Sequence, residues 1–225
     1  MPLKNRYQKY GKLSERKFRV ILRYFALDFT ASDTAKLTHV SVRSINTIFL
    51  KLRKRIAQEC EQQTPFKGVV ELDESYFGPR RVRGKRGRGA GGKTIVFGVF
   101  ERDDKVHAEI VPDASKASLI KVIRGHVSIE SVVHTDGWRG YNSLVDVGYS
   151  KHFRVQHGHN QFATGNRHID GIESFWSYSK RRLVKFNGVS QRTFYLHLKE
   201  TEFRFNHRSQ NLYKTLLSLL RKNPL

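Results

Sequence analysis

The apolar residues of this chain change period once, around Gln62-Gln63-Thr64-Pro65, and that change divides what it can fold into. On the N-terminal side they recur every three or four residues, as helices require. On the C-terminal side they fall in short β-branched runs, as strands require. The stretch between is helix-stopping and linker-like, which sets two domains at 1–64 and 65–225. A length of 225 residues accommodates one medium domain beside a small one, each with a real core.

Residues 14–29, SERKFRVILRYFALDF, place Phe18, Ile21, Leu22, Phe25 and Phe29 at helical spacing behind the N-cap candidate Ser14. Thr30 and Asp33 then form a T-x-x-D capping pattern for a short helix ending near Leu37. After the turn Thr38-His39-Val40, Ser41 caps a longer helix with the apolar stripe Val42, Ile45, Phe49, Leu52 and Ile56. Short helix, three-residue turn, longer helix is the outline of a helix-turn-helix. On that reading Arg43, Ser44, Asn46 and Thr47 enter a DNA groove, and Lys51, Arg53, Lys54 and Arg55 meet the flanking backbone. A plain three-helix bundle with a charged solvent face is the alternative.

Beyond residue 65 the pattern predicts strands at 69–77, 93–102 and 106–112, the last two joined by a turn at Asp103-Asp104. A helix over Ser115–Gly125, a strand at 131–135, a helical stretch near 138–146 and a strand near 152–156 follow, with helices from about 171 onward. Three strands, helix, strand, helix, strand, helix is the order of a ribonuclease H-like α/β domain. The fold class predicted is therefore α/β, a mixed five-stranded sheet with flanking helices, preceded by an all-α helix-turn-helix domain. Residues 78–92, GPRRVRGKRGRGAGG, are too rich in Gly and Arg to bury a core. Arg80, Arg81, Arg83, Lys85, Arg86 and Arg88 read as a basic loop that orders on a phosphate backbone, against a merely solvated hairpin.

Charge narrows the partner. With 42 Lys and Arg against 20 Asp and Glu the formal net charge is +22, so a polyanion, and above all nucleic acid, is the expected partner. No apolar run approaches the roughly 18 residues of a membrane span, and the N-terminus lacks a signal-peptide core. The lone Cys60 excludes an intramolecular disulfide and any C-x-x-C zinc ribbon, which favours a reduced, cytoplasmic setting. His152, His157, His159 and His168 lack metal-motif spacing and read as surface or phosphate-facing residues.

Where acids occur in so basic a chain is informative. Asp73 lies mid-strand, with 71, 73 and 75 on one face and 70, 72 and 74 on the other. Asp136 ends the strand at 131–135, at the tip where α/β sheets bind ligands. Glu173 starts a helix, and Lys180 follows two turns later on the same face. Brought together, three carboxylates make an all-oxygen site for Mg²⁺ or Mn²⁺. Two ions about 4 Å apart there suit an in-line phosphodiester displacement, with Lys180 neutralising a neighbouring phosphate. Each acid also has a plain reading: Asp136 as a turn or cap, Glu173 as a helix-dipole partner, Asp73 as an arginine's partner. Glu71, Glu74 and Asp170 are neighbouring acids to which the assignment can slip. Trp138, Phe175 and Trp176 read as core packing in preference to base stacking.

The strings ELDESYFG, HTDGWRGY and HIDGIESFWSYSKRR, with FRFNHR further on, resemble a DDE-type transposase of a bacterial insertion sequence, over residues 14 to about 210. The resemblance implies a ribonuclease H-like core with Asp73 on the first strand, Asp136 after the fourth and Glu173 on a later helix. It also implies that Lys180 is the basic residue seven after the catalytic Glu, followed by Arg181 and Arg182 on DNA. The expected activity is binding of the element's inverted-repeat ends, then metal-dependent cleavage and strand transfer. Two Mg²⁺ or Mn²⁺ ions, double-stranded DNA and a homodimer or larger assembly go with it, and no small-molecule cofactor. Asp170, where relatives often have Asn, and the missing cysteine-rich ribbon are departures. The rival readings are a ribonuclease H-like nuclease that cuts without joining and a non-catalytic DNA-binding regulator derived from a mobile element.

Overall fold

The computed structural model describes residues 5–62, 66–78, 93–102, 105–136, 148–149, 152–155 and 170–225, with 136 and 152–155 described by backbone alone. They form two compact units: residues up to Glu61 together with His207–Leu225, and Gln62–Asn206. The first unit thus takes up the C-terminal segment, which the linear division at 64/65 had left with the second. A helix carries no record in its own residues of which apolar face it will meet.

In the first unit α1 (Glu15–Ala26), α2 (Ala31–Thr38), α3 (Val42–Cys60) and α7 (Leu212–Lys222) pack as a bundle. Local capping explains their starts. Ser14 accepts from Lys17 N–H at 3.3 Å, Thr30 from Asp33 N–H at 3.1 Å, Ser41 from Ser44 N–H at 3.2 Å and Asn211 from Lys214 N–H at 3.1 Å. His39 closes α2 in the left-handed region at φ 52°, turning the chain into α3. Phe18, Ile21, Leu22 and Phe25 of α1 meet Ile45, Phe49, Leu52 and Ile56 of α3 in the core, where Phe25 and Phe49 lie edge to face at 4.9 Å. Two residues of the expected stripes fall outside it. α1 stops at Ala26, leaving Phe29 39% exposed, and Val42, in the first turn of α3, is 44% exposed. The C-terminus is tied back, with Leu225 exchanging backbone hydrogen bonds with Tyr7 and Lys9 at 2.9 Å each.

The second unit is a five-stranded sheet in the order β3-β2-β1-β4-β5. Its strands are β1 (Val69–Phe77), β2 (Thr94–Glu101), β3 (Val106–Val111), β4 (Val132–Asp136) and β5 (His152–Val155). The first three form an antiparallel meander, while β4 runs parallel to β1 and β5 parallel to β4. This is the mixed, ribonuclease H-like arrangement expected. One face carries α4 (Lys116–His126), whose Leu119, Val122 and Ile123 pack with Leu72, Val99 and Val133. On the other, α5 (Asp170–Val184) and α6 (Gln191–Asn206) bring Ile172, Phe175, Trp176 and Phe205 against Val96, Phe100 and Ala108. The helical stretch predicted near 138–146 and the basic loop at 78–92, beyond Gly78, lie outside the described residues.

The free side of β3 is closed by α6. Asn206 accepts from Val106 N–H at 2.8 Å and donates to its carbonyl at 2.9 Å, and Glu202 accepts from Ala108 N–H at 2.9 Å. Two polar side chains one helical turn apart thereby replace the missing neighbour strand. Part of FRFNHR, familiar from the resemblance, therefore serves the sheet. Among the described residues no helix is long and apolar enough to cross a membrane.

Candidate active site

β1 and β4 are paired in parallel with Leu72 opposite Thr135, and the next residue on each strand is an acid, Asp73 and Asp136. Neighbouring strands lie about 4.8 Å apart, so two carboxylate-bearing residues stand side by side at the carboxyl end of β4. Asp73 is half-buried and accepts a hydrogen bond from the indole N–H of Trp176 at 3.0 Å. For Asp136 the backbone position is described and the side chain is not.

The third acid arrives on α5, which the strand itself holds. Glu71, two residues before Asp73 and on the same face, accepts the N–H of Ile172 at 3.0 Å. A carboxylate from a strand thus fills one of the orphan donors at a helix start and complements its dipole. Glu173 follows Ile172 directly and is exposed; Trp176, which holds Asp73, is three residues on. Residues three apart on a helix are neighbours, about 5–6 Å between Cβ atoms. The same short segment that carries Glu173 is therefore bonded to Glu71 and Asp73, two of the three acids of β1. Burial pushes the Glu71 carboxyl above its ordinary range, against the opposing pull of the Ile172 N–H and of Arg102, 3.5 Å away.

Close approach of α5 depends on two glycines. Gly98 on β2 stands opposite Asp73, and a Cβ there would lie 2.7 Å from Ile172 Cδ1 and from the Trp176 ring. At Gly171 a Cβ would run into the ring of Phe100. The roles of Glu71, Gly98 and Trp176 escape a reading of the sequence, because each acts on a partner at least 74 positions away: Gly98 to Ile172 is the shortest of these spans.

The basic residues divide. Lys180 is exposed, at the rim of a cavity of about 820 Å³ lined also by Tyr76, Phe77, Val184, Asn187 and Phe194. Arg181 is exposed and bonded to Ser177 at 2.6 Å. Arg182, expected on DNA, is instead buried: it pairs with Glu200 at 2.6 Å, donates to Thr201 at 2.8 Å and lies over the ring of Phe186. Successive helix residues point about 100° apart, so a KRR triplet cannot present all three heads to one side. In the first unit Arg43, Ser44, Asn46, Thr47, Lys51 and Lys54 are all exposed on α3. Arg53 covers Phe25 and Phe49, and Arg55 donates to the Pro224 carbonyl at 3.0 Å, so both serve the bundle. Arg80, Arg81, Arg83, Lys85, Arg86 and Arg88 lie outside the described residues, as do Trp138 and His157, His159 and His168; for His152 the backbone alone is described. Phe175 and Trp176 pack in the core, as expected.

Comparison with known proteins bears on what such a site is for. The family profile of the ISXO2-like transposase domain matches residues 65–206. The chain belongs to this transposase family. It is 40% identical over 121 residues to an uncharacterized transposase-like protein of Haemophilus influenzae, covering 54% of this chain and 97% of that one. An uncharacterized protein in transposable element ISH50 of Halobacterium salinarum is 28% identical over 193 residues, 77% of this chain and 65% of the other. Among solved structures, the catalytic core domain of BIV integrase aligns over 68% of this chain and 95% of that one, with 12% identity and a TM-score of 0.41. The Mos1 strand transfer complex aligns over 94% and 80%, with 12% identity and a TM-score of 0.30. This transposase-family domain thus spans the sheet and α4 to α6, including all three acids.

Proposed function

We propose that the chain is a DDE-type transposase that binds the inverted-repeat ends of a mobile element, cuts the DNA strands and transfers the freed 3′-hydroxyls to target DNA. Asp73, Asp136 and Glu173 are its catalytic and metal-binding residues. The observation that carries the reading is the register Leu72↔Thr135, with an acid next on each strand, beside a helix bonded to β1 at Ile172 and Trp176.

The donor set fits a hard divalent ion such as Mg²⁺ or Mn²⁺, since it offers carboxylate oxygens and neither thiol nor imidazole. When bound, two such ions supply charge stabilisation for the attacking and leaving oxygens of an in-line displacement. The protein's own part is positioning. Trp176 fixes one oxygen of Asp73, and Glu71 fixes the helix start from which Glu173 projects. Lys180, two turns beyond Glu173, is placed to neutralise a phosphate beside the one being cut. In the first unit the exposed face of α3 with Arg43, Ser44, Asn46, Thr47 and Lys51 is the surface proposed for the element's ends, and the 80–88 arginines and lysines, with Arg181, for the backbone. Two ends must be joined at once, so a homodimer or larger assembly on DNA is part of the proposal.

A cleavage and joining assay with matched element ends in Mg²⁺ tests it. Asp73→Asn, Asp136→Asn and Glu173→Gln are each expected to reduce both products to background while end binding is retained. Cleavage without joined product overturns the transposase reading in favour of a nuclease. A wild type that binds ends and never cuts overturns the enzyme reading.

A further inference from the structure

The histidines that draw no attention in the sequence come together in the structure. His107 and Glu109 alternate on β3, and His126 ends α4. Asp73, Gly98 and Ala108 are cross-strand partners and share the face toward α5, so His107 and Glu109 face the opposite side, that of α4. Glu109 Oε2 lies 3.7 Å from His107 Nε2 and 3.5 Å from His126 Nε2, and one donor atom from each of the three residues lies within 4.8 Å of the others.

We propose that His107, Glu109 and His126 bind a transition-metal ion of the zinc class, which clips the edge strand β3 to the end of α4. Two imidazoles and one carboxylate with an open fourth position are a ligand set for Zn²⁺, in contrast to the all-oxygen set around Asp73. Tetrahedral bonds of 2.0–2.1 Å put ligand atoms about 3.3–3.4 Å apart, so donors that lie within 4.8 Å of one another must close in, the widest by roughly 1.5 Å.

An independent observation points to a missing ligand. His107 is 1% exposed, yet its Nε2 has no hydrogen-bond partner. Glu202 Oε1, also buried without one, lies 3.9 Å from the other ring nitrogen, Nδ1. A metal ion on the Nε2 lone pair satisfies the first orphan and needs the ring proton on Nδ1, which requires a shift toward Glu202 and the loss of the contact that the Lys199 ammonium, a donor only, makes there. Lys199 Nζ, 3.4 Å from Nδ1, keeps its closer partner Glu202 Oε2 at 3.1 Å. The two imidazoles now stack at 3.7 Å with planes 26° apart, so ligation turns His126, whose side chain is 25% exposed, edge-on about its own side-chain bonds.

The test is a Co²⁺ titration of the chelator-treated full chain in excess Mg²⁺, read by visible d–d absorption, with displacement by Zn²⁺. One equivalent with a four-coordinate spectrum is expected. His126→Ala and Glu109→Gln, at the more exposed positions, should weaken it by more than the roughly 10–100-fold lost with an outer-shell partner. Zn²⁺ should raise the Tm of the wild type and leave that of Glu109→Gln unmoved. Asp73→Asn with Glu173→Gln should bind Co²⁺ as the wild type does. Absence of Co²⁺ absorption, or absorption that survives His126→Ala and vanishes in the Asp73/Glu173 pair, overturns the proposal and leaves the DNA chemistry untouched.

Discussion

α3 and α5 both carry residues proposed to meet DNA, yet they are specified in opposite ways. α3 brings its own instructions: Ser41 caps it, and Ile45, Phe49, Leu52 and Ile56 form its buried stripe. α5 is seated by other elements. Glu71 of β1 takes its Ile172 N–H, Asp73 takes its Trp176 indole, and glycines at 98 and 171 clear the room. A binding helix needs a free face, which local signals can provide. A helix proposed to bring a carboxylate to a site must be set closely against the elements that bear its partners, and here β1 supplies two of the bonds that do so.

The chain offers separate reporters for the two. Both tryptophans, Trp138 and Trp176, fall in the second unit, while the single cysteine, Cys60, is buried in the first. The largest effect is expected for Gly98→Val, which forces a branched side chain into Ile172 and Trp176 and costs about 3 kcal/mol, the upper end of ordinary overpacking. Tryptophan fluorescence during urea unfolding checks it, and a variant as stable as the wild type would mean that α5 sits less tightly than the contacts imply. Glu71→Leu strips a buried N–H of its acceptor and should cost about 2 kcal/mol by the same measurement, with the DNA-end binding proposed for the first unit unchanged. Ser41→Ala removes a cap, about 1 kcal/mol, and acts on the other unit. Its readout is Cys60 labelling by a thiol reagent, about fivefold faster if local opening follows helix stability, with tryptophan fluorescence unmoved.

The smallest effect is one of pH. Because the folded-state pKa of Glu71 is raised, the folded protein holds that proton to higher pH than the unfolded chain does. Stability from this group is full below the unfolded value of about 4.5 and is lost as pH climbs through the folded value. Glu71→Gln keeps an acceptor for Ile172 and removes the titration. Wild type should therefore lose stability relative to Glu71→Gln as pH rises from about 4.5, measured as a difference in urea midpoints. A flat difference would mean that Arg102 compensates the buried charge fully.

Legibility in the sequence follows the same division. Caps, apolar periods and the strand order were readable because each is written in neighbouring residues, and motif spacing singled out Asp73, Asp136 and Glu173 as the acids to propose. The packing of α7 with the first unit, the burial of Arg182 against Glu200 and the meeting of His107 with His126 were not, since each joins elements by tertiary contact. Glu71 is the clearest case. It stands two residues from Asp73 among the acids to which the site assignment could slip, and its bond to a partner 101 residues away, at the start of α5, has no trace in the local sequence.

The side chains of Asn206 and Glu202 have a consequence for assembly. They occupy the N–H and carbonyl of Val106 and the N–H of Ala108, so a second polypeptide would have to displace them before extending the sheet at that border. An assembly of the kind proposed above is therefore expected to join through other surfaces.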